Sequence, residues 1–177
     1  MTTVADSISV EPMRAADLET VLRIEQQCFP APWLETAFMT ELSNRAAAYF
    51  VARSRDDIAG YGGLWVIMGE AHITTLAVGP EYRGHGIGER LLLALIDESD
   101  LRNATHMTLE VRQSNLAAQH LYGKYNFREV DILRNYYTDN GENAIVMWAE
   151  RTDTPLDQQQ LAERRRRLSA VLPVVSR

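Results

Sequence analysis

The stretch Leu76-Ala-Val-Gly-Pro-Glu-Tyr-Arg-Gly-His-Gly-Ile-Gly-Glu89 combines a strand end, a glycine-rich loop and a helix start. The apolar run that ends at Val78 predicts a strand, and the apolar residues after Glu89 predict a helix. The first backbone N–H groups of a helix lack internal partners and lie at the positive end of its dipole. Glycines before such a turn let an anion approach the backbone closely. The stretch therefore predicts a phosphate-binding loop.

Two common phosphate-binding loops do not fit this stretch. A dinucleotide-binding fingerprint that begins at Gly84 requires a third glycine at the position of Glu89. A P-loop requires a Gly-Lys pair, and this region contains none. Either the loop binds another phosphate ligand, or its glycines serve only the geometry of a tight turn.

The composition limits the classes of protein to consider. The 177 residues predict one domain, with 46% hydrophobic and 24% charged residues, as in ordinary globular proteins. The single cysteine, Cys28, excludes an internal disulfide and suits a reducing cytoplasm. The net charge of −6 argues against DNA binding. Neither a signal peptide nor an apolar run long enough for a membrane span is evident, so we expect a cytoplasmic protein without membrane contact.

The hydrophobic pattern predicts a mixed α/β domain. Short strands separated by tight turns between Ala48 and Val78 predict antiparallel hairpins. The helix after the glycine loop leads to a β-rich run, and this crossover predicts that strands 71–78 and 107–111 are parallel neighbours. Further strands are predicted over residues 8–10, 127–133 and 144–148, and further helices over 18–24, 34–43 and 116–125.

Local signals refine three of the predicted helices. Asp17 is a candidate N-cap for the first helix, and Asn115 is one for the helix over 116–125. In the second helix, Phe38, Met39 and Leu42 are predicted to face the core.

The glycine loop resembles that of a known family. Arg83-Gly-His-Gly-Ile-Gly88 follows the pattern Arg/Gln-x-x-Gly-x-Gly and resembles the pyrophosphate loop of the GNAT acyl-CoA N-acyltransferases. Downstream, Leu109-Glu-Val-Arg112, Asn115 and Leu121-Tyr122 resemble the second characteristic region of the bacterial RimI-type enzymes, which acetylate the N-terminal amine of a ribosomal protein. Further matching segments are Phe29-Pro-Ala-Pro-Trp33, Arg134-Asn-Tyr-Tyr137 and Ala144-Ile-Val-Met147.

The resemblance covers residues 8–150 and implies a fold as well as an activity. The implied GNAT fold is a mixed, mostly antiparallel sheet of six to seven strands, flanked by about four helices, with a splayed parallel strand pair. The family's Gly-Phe after the tyrosine helix is replaced here by Asn126-Phe127. Asparagine is the next-best residue for a left-handed helix end, so this difference does not threaten the fold.

Acetyl transfer to an amine requires a general base, a group that polarises the thioester carbonyl, and a proton donor for the leaving sulfur. The resemblance assigns the first role to Glu110, directly or through a water, and the last to Tyr122. A phenol has a pKa of ~10 and is therefore protonated at neutral pH. From the residues alone, Glu110 is equally a solvated carboxylate paired with Arg112, and Tyr122 is equally a core residue at helical spacing.

The resemblance further implies acetyl-CoA as co-substrate, with no metal. The main-chain groups of three strand residues are implied to pair with the pantetheine arm: Leu76, Ala77 and Val78. The implied pyrophosphate contacts are Arg83, Gly84, His85, Gly86, Ile87, Gly88 and Glu89. Asn115 and Tyr122 complete the implied cofactor site, although a helix N-cap explains Asn115 equally well.

Four aromatic residues are implied to line the groove for the acceptor: Phe29, Trp33, Tyr136 and Tyr137. The alternative for Phe29 and Trp33 is that they only cap the core. His85 is predicted to be a solvent-facing loop histidine with at most a phosphate contact. His72, His106 and His120 show no metal-binding spacing, so we predict no metal site.

The chain ends are predicted to differ from the domain between them. Residues 1–7 are small and polar and predict a frayed end. Residues 151–177 form an Arg-rich C-terminal extension, predicted to be either a charged amphipathic helix or a solvated tail. Arg164–Arg167 suggest contact with ribosomal RNA or an acidic partner, although a plain extension explains them as well.

The leading hypothesis is acetyl-CoA-dependent acetylation of the N-terminus of a basic ribosomal protein. The expected acceptor is the N-terminal alanine of a small-subunit protein of the S18 type, and the expected enzyme is a monomer or weak dimer. One alternative is a GNAT enzyme that acts on lysine side chains or a small amine. Another is a non-catalytic module that binds CoA, against which Glu110 and Tyr122 both argue.

Overall fold

The computed structural model describes residues 8–151 and 155–171, and in them seven strands form one sheet. The strand order is β1-β2-β3-β4-β5-β7-β6, and every neighbouring pair is antiparallel except β4 and β5. The predicted frayed segment, residues 1–7, lies outside the described residues. The strands are β1 (Ile8–Pro12), β2 (Ala47–Ser54), β3 (Asp57–Ile67), β4 (Glu70–Val78), β5 (His106–Arg112), β6 (Arg128–Leu133) and β7 (Ala144–Glu150).

Helices cover both faces of the sheet. The helices are α1 (Leu18–Cys28), α2 (Glu35–Ser43), α3 (Ile87–Leu101), α4 (Leu116–Gly123) and α5 (Pro155–Val171). On one face, Leu92 and Leu95 of α3 pack against β3, β4 and β5. On the other face, Val21 of α1 and Phe38 of α2 pack against Tyr49 and Tyr61. None of the helices in the described ranges is both long and apolar enough to cross a membrane.

The α/β class, the mostly antiparallel sheet and the parallel β4–β5 pair are confirmed. Two local predictions are wrong. Asp17 does not cap α1 with its side chain; its carboxylate accepts a hydrogen bond from the Arg14 amide at 2.9 Å and pairs with Arg53 at 2.9 Å. Met39 is 44% exposed, because α2 turns only Phe38 fully into the core.

The left-handed helix end is confirmed. Asn126 has a φ of 65°, the conformation that asparagine tolerates better than other non-glycine residues. The chain reverses at this residue and continues through the buried Phe127 into β6.

The described part of the Arg-rich extension is a helix that packs on the domain. Leu161 of α5 is buried in the core cluster that contains Tyr125, and the Arg164 guanidinium lies 5.1 Å from the centre of the Tyr125 ring. Arg90 of α3 donates a hydrogen bond to the Leu168 carbonyl at 2.7 Å.

Ribosome contact through Arg166 and the neighbouring arginines stays a prediction, tested by co-sedimentation of an Arg166→Glu variant with ribosomal subunits.

A close approach between β2 and β3 makes glycine necessary at position 63. A Cβ built on Gly63 lies 2.2 Å from the Tyr49 ring, which itself packs in the core. We expect Gly63→Ala to lower the free energy of unfolding by about 2–3 kcal/mol, because Tyr49 must leave its rotamer or the strands must separate. Gly123→Ala is the matched control, since nothing outside its own stretch of helix lies within 4 Å of a Cβ built at this position. Urea unfolding measures both, and equal effects of the two substitutions would contradict the argument.

Candidate active site

The parallel pairing of β4 and β5 lasts for only three residue pairs. Glu70 lies opposite His106, Ala71 opposite Met107 and His72 opposite Thr108. Beyond these pairs β4 stays with β3 while β5 stays with β7. A register shift in the β3–β4 pairing, at Gly63 and Leu64, accompanies the divergence. The predicted splayed strand pair is therefore confirmed, and it opens a cleft along the last residues of β4.

The glycine loop lies at the far end of this opening. Gly84 and Gly86 have φ values of 79° and 73°, in the left-handed region that L side chains rarely adopt. Gly86 immediately precedes α3, so the amide groups of the first turn begin at Ile87. The loop and the end of β4 line one cleft, whose members include Leu76, Ala77, Val78, Arg83, Gly84, Gly86, Ile87, Gly88 and Glu89.

His85 is the one predicted loop residue that points away from this lining in the described structure. Its side chain is exposed, and its Nδ1 lies 3.1 Å from the Tyr82 carbonyl oxygen. The expected solvent-facing position is therefore found.

A second cleft meets the first where α4 begins. Leu76, Asn115 and Tyr122 line both clefts. The Asn115 side chain accepts a hydrogen bond from the Ala118 amide at 3.1 Å, which confirms the predicted N-cap. Tyr122 is buried, and burial raises the pKa of its phenol, so the group keeps its proton at neutral pH. The structure thus places a protonated phenol at the junction of the two clefts.

Glu110 lines the second cleft from β5. The alternative pairing with Arg112 is not found, because Arg112 binds Asp139 at 2.9 Å and Glu142 at 3.2 Å. The Glu110 carboxylate instead lies 3.1 Å from Nε2 of His72, and its side chain is 26% exposed. The carboxylate therefore faces the cleft with an imidazole as its partner.

The four predicted acceptor-site aromatics line the cleft that contains Glu110: Phe29, Trp33, Tyr136 and Tyr137. Phe29 and Trp33 also pack against the core cluster of α1 and α2, and their contact with an acceptor stays a prediction. Tyr136 and Tyr137 form an edge-to-face pair with ring centres 5.1 Å apart. Arg112 packs 3.9 Å above the Tyr137 ring and ties this pair to β5.

The sequence argument missed two polar residues of the site. Glu25 lines the cleft with a buried side chain. Its carboxylate accepts hydrogen bonds from the Trp33 amide, at 2.9 Å, and from the Tyr61 hydroxyl. The sequence signal for Glu25 is its position, because it falls on the same face of α1 as the buried apolar residues Val21 and Ile24. His72 was considered only as a metal ligand, and in the described residues no group of three or more His, Cys, Asp or Glu is placed to hold a metal.

The sequence and the fold of this chain are similar to those of known acetyltransferases. The model of the acetyltransferase (GNAT) family matches residues 18–127. A putative ribosomal protein bS18-alanine N-acetyltransferase of Bacillus subtilis is 42% identical over 141 residues, which is 79% of this chain and 93% of that protein. The bS18-alanine N-acetyltransferase of Escherichia coli is 37% identical over 143 residues, 78% of this chain and 95% of that protein.

Solved structures agree with these sequence relatives. The ribosomal-protein-S18-alanine N-acetyltransferase from Escherichia coli superposes with a TM-score of 0.76 and 34% identity, covering 83% of this chain and 96% of that chain. Ard1 from Thermoplasma volcanium superposes with a TM-score of 0.77 and 25% identity, covering 83% of this chain and 99% of that chain.

The buried Glu25 predicts a pH-dependent stability. Burial raises its pKa above the usual 4.5, although the hydrogen bond from the Trp33 amide acts in the opposite direction. The folded state therefore holds the proton to higher pH than the unfolded chain does. The stability of the wild type should fall, relative to Glu25→Gln, as pH rises from about 4.5, the usual value, through the raised pKa.

Chemical denaturation of the two proteins between pH 4 and pH 7.5 measures this difference. Glu19→Gln, on the exposed side of α1, controls for the loss of one negative charge. A stability difference between wild type and Glu25→Gln that does not change with pH would show that Glu25 is solvated.

Proposed function

Because this chain belongs to the GNAT family of acetyltransferases, we propose that it transfers the acetyl group of acetyl-CoA to the N-terminal α-amine of a protein. The relatives are named for the alanine of ribosomal protein bS18, and we propose the same N-terminal alanine as acceptor. One observation carries the proposal. The cleft lined by the glycine loop meets the cleft lined by Glu110 and the aromatic residues, and Tyr122 lies where they join.

The first cleft suits the extended, anionic shape of CoA. The left-handed glycines and the first turn of α3 offer backbone N–H groups to the pyrophosphate. The edge of β4 from Leu76 to Val78 has parted from β5 and offers main-chain groups to the pantetheine arm, as a missing strand would use them. In this placement the thioester reaches Asn115 and Tyr122, where the clefts join.

The second cleft suits a peptide N-terminus. A protein's α-amine, with an ordinary pKa of about 8, is mostly protonated at neutral pH, so attack requires removal of a proton. Glu110 is the carboxylate that faces this cleft from β5, and we assign it as general base, directly or through a water. The aromatic pair Tyr136–Tyr137 lies beside it and supplies a wall for the first residues of the acceptor.

The bond changes follow from these positions. The deprotonated nitrogen attacks the thioester carbonyl, the carbon–sulfur bond breaks, and the thiolate takes a proton from the Tyr122 hydroxyl. Backbone N–H groups at the end of β4 stabilise the oxygen on which negative charge develops. The nitrogen loses two protons in all: one replaces the proton that Tyr122 gives to the sulfur of CoA, and one leaves to the solvent.

The acceptor is tested with peptides and isotopically labelled acetyl-CoA. The peptides copy the N-terminal sequence of the S18 protein from the same organism, beginning with its alanine, and their α-amine is either free or blocked. Mass spectrometry locates the label. We expect the label on the free α-amine and on no residue of the blocked peptide. Labelling of a lysine side chain in the blocked peptide would instead support the alternative hypothesis, a GNAT enzyme that modifies lysines or small amines.

Substitution of the two assigned residues tests the mechanism. Glu110→Gln should lower kcat by roughly 10²-fold or more, and Tyr122→Phe by roughly 10-fold or more, within the range of general acid–base catalysis. The KM for acetyl-CoA should change little, since neither change removes a phosphate contact. Steady-state kinetics measures both, with Glu129→Gln on the exposed face of β6 as the matched control. Unchanged rates in both variants would refute the assignments, whereas the absence of acetylation by the wild type would favour a module that only binds CoA.

A further inference from the structure

One face of the β4–β5 pair carries a continuous row of polar side chains. Glu70 and His72 of β4 lie on the same face as Thr108 and Glu110 of β5, because side chains of a strand alternate and the register pairs His72 with Thr108. The opposite face is apolar and buried, with Ala71, Ile73, Met107, Leu109 and Val111 in the core. The polar row therefore runs along the only parallel pair of the described sheet, beginning inside the acceptor cleft.

Hydrogen-bond distances connect this row from end to end. His72 Nε2 lies 3.1 Å from a Glu110 oxygen, and His72 Nδ1 lies 2.8 Å from the Thr108 hydroxyl. The Thr108 hydroxyl donates to one Glu70 oxygen at 3.5 Å, and the other Glu70 oxygen lies 3.0 Å from Nε2 of His106. The Glu70 side chain is 48% exposed, so the row ends at the solvent.

The ring of His72 is held between its partners. It packs against Trp65 with ring centres 6.5 Å apart, and the indole of Trp65 is in turn bonded to Glu41. At the outer end, the ring of His106 stacks on that of Trp148, with ring centres 4.1 Å apart and an angle of 7° between the ring planes. These contacts fix the orientation of both imidazoles, so each nitrogen keeps one partner.

We propose that His72 is a positioning residue that takes from Glu110 the proton lost by the acceptor amine and passes it through Thr108 to Glu70 at the surface. This proposal rests on the proposed function, which releases one proton to the solvent in each turnover. Nε2 of His72 receives the proton from the Glu110 carboxyl, and Nδ1 gives its own proton to the Thr108 hydroxyl. That hydroxyl transfers its proton to the Glu70 carboxylate, which exchanges it with water or with His106. His72 is left with its proton on Nε2; its side chain is 27% exposed, and proton exchange with water restores the Nδ1 tautomer before the next turnover.

The electrostatic surroundings favour the first step, the uptake of a proton by His72. The hydrogen bond to Glu110 raises the pKa of His72 above the usual 6.5; the charges of Glu110 and Glu70 act in the same direction, and burial opposes them. His72 therefore accepts a proton more readily than a free imidazole does. Trp65, which faces the ring from β3, carries no ionisable group, and Glu41 lies beyond it.

The test compares kcat in the intact enzyme and its variants at saturating acetyl-CoA and peptide. His72→Ala should lower kcat by roughly 10-fold or more with both KM values within about 2-fold, because the base remains but its proton is trapped. Thr108→Val, which keeps the shape but removes the hydroxyl, should lower kcat by roughly 3-fold or more. His120→Ala, at an exposed position of α4, is the matched control and should match the wild type.

Chemical rescue separates proton transfer from structural support. Imidazole added to His72→Ala should restore kcat several-fold, whereas pyrazole, which has nearly the same shape but is a much weaker base, should not. Equal rescue by both compounds, or a kcat of His72→Ala within 2-fold of the wild type, would overturn the proposal. His72→Gln replaces the alanine variant in the kcat comparison if the latter does not fold.

An NMR titration of the ligand-free protein gives a readout that does not depend on turnover. The pKa of His72 should fall in Glu110→Gln, and an unchanged value would overturn the pairing on which the relay depends. If the wild type acetylates lysine but no α-amine, the proposed acceptor is wrong. The relay test then proceeds with the lysine peptide, since both amines lose the same protons.

Discussion

The short parallel contact between β4 and β5 is the constraint on which the rest of the site depends. Three residue pairs hold the strands together, and after His72 and Thr108 each strand follows a different neighbour. A longer parallel ladder would satisfy the edge of β4 and close the cleft that leads to Tyr122. The strands can part without loss of the fold because β3 and β7 pair with them along their outer edges.

Helix α3 forms one wall of the cleft that this divergence opens. Its buried leucines pack on β2, β3 and β4, and this packing fixes its first turn beside the end of β4. The left-handed Gly86 allows the chain to enter the helix at that point. At the same end of the helix, Arg90 binds the carbonyl of Leu168, and a Leu168 methyl lies 3.1 Å from the Cβ position of Gly86. The C-terminal helix α5 thus supports the glycine loop from outside the cleft.

The sequence predicted the features that depend on local chemistry. The glycine loop, the Asn115 cap and the left-handed Asn126 are each determined by residues within one turn of the chain. Features that depend on register between distant strands were not predicted. Strand alternation places Glu110 on a face but does not say that His72 is the residue beside it.

One wrong prediction and one feature that was not predicted have the same origin. Asp17 has a sequence typical of a cap, but the distant Arg53 of β2 takes its carboxylate. The insertion of β7 between β5 and β6 brings Trp148 opposite Thr108, and no local pattern indicates it. Both depend on a contact across more than thirty positions, about the length of a supersecondary unit, and only for Asp17 did that contact override a local preference.

The same cleft holds two carboxylates, and their surroundings give them different roles. Both oxygens of Glu25 are occupied, one by the Trp33 amide and one by the Tyr61 hydroxyl, and the residue is buried. It therefore anchors the turn that carries Phe29 and Trp33. Glu110 instead has the imidazole of His72 as its partner, with Nε2 at 3.1 Å. A base must pass on each proton it takes before the next turnover, and of these two carboxylates Glu110 is the one whose partner connects it to the solvent.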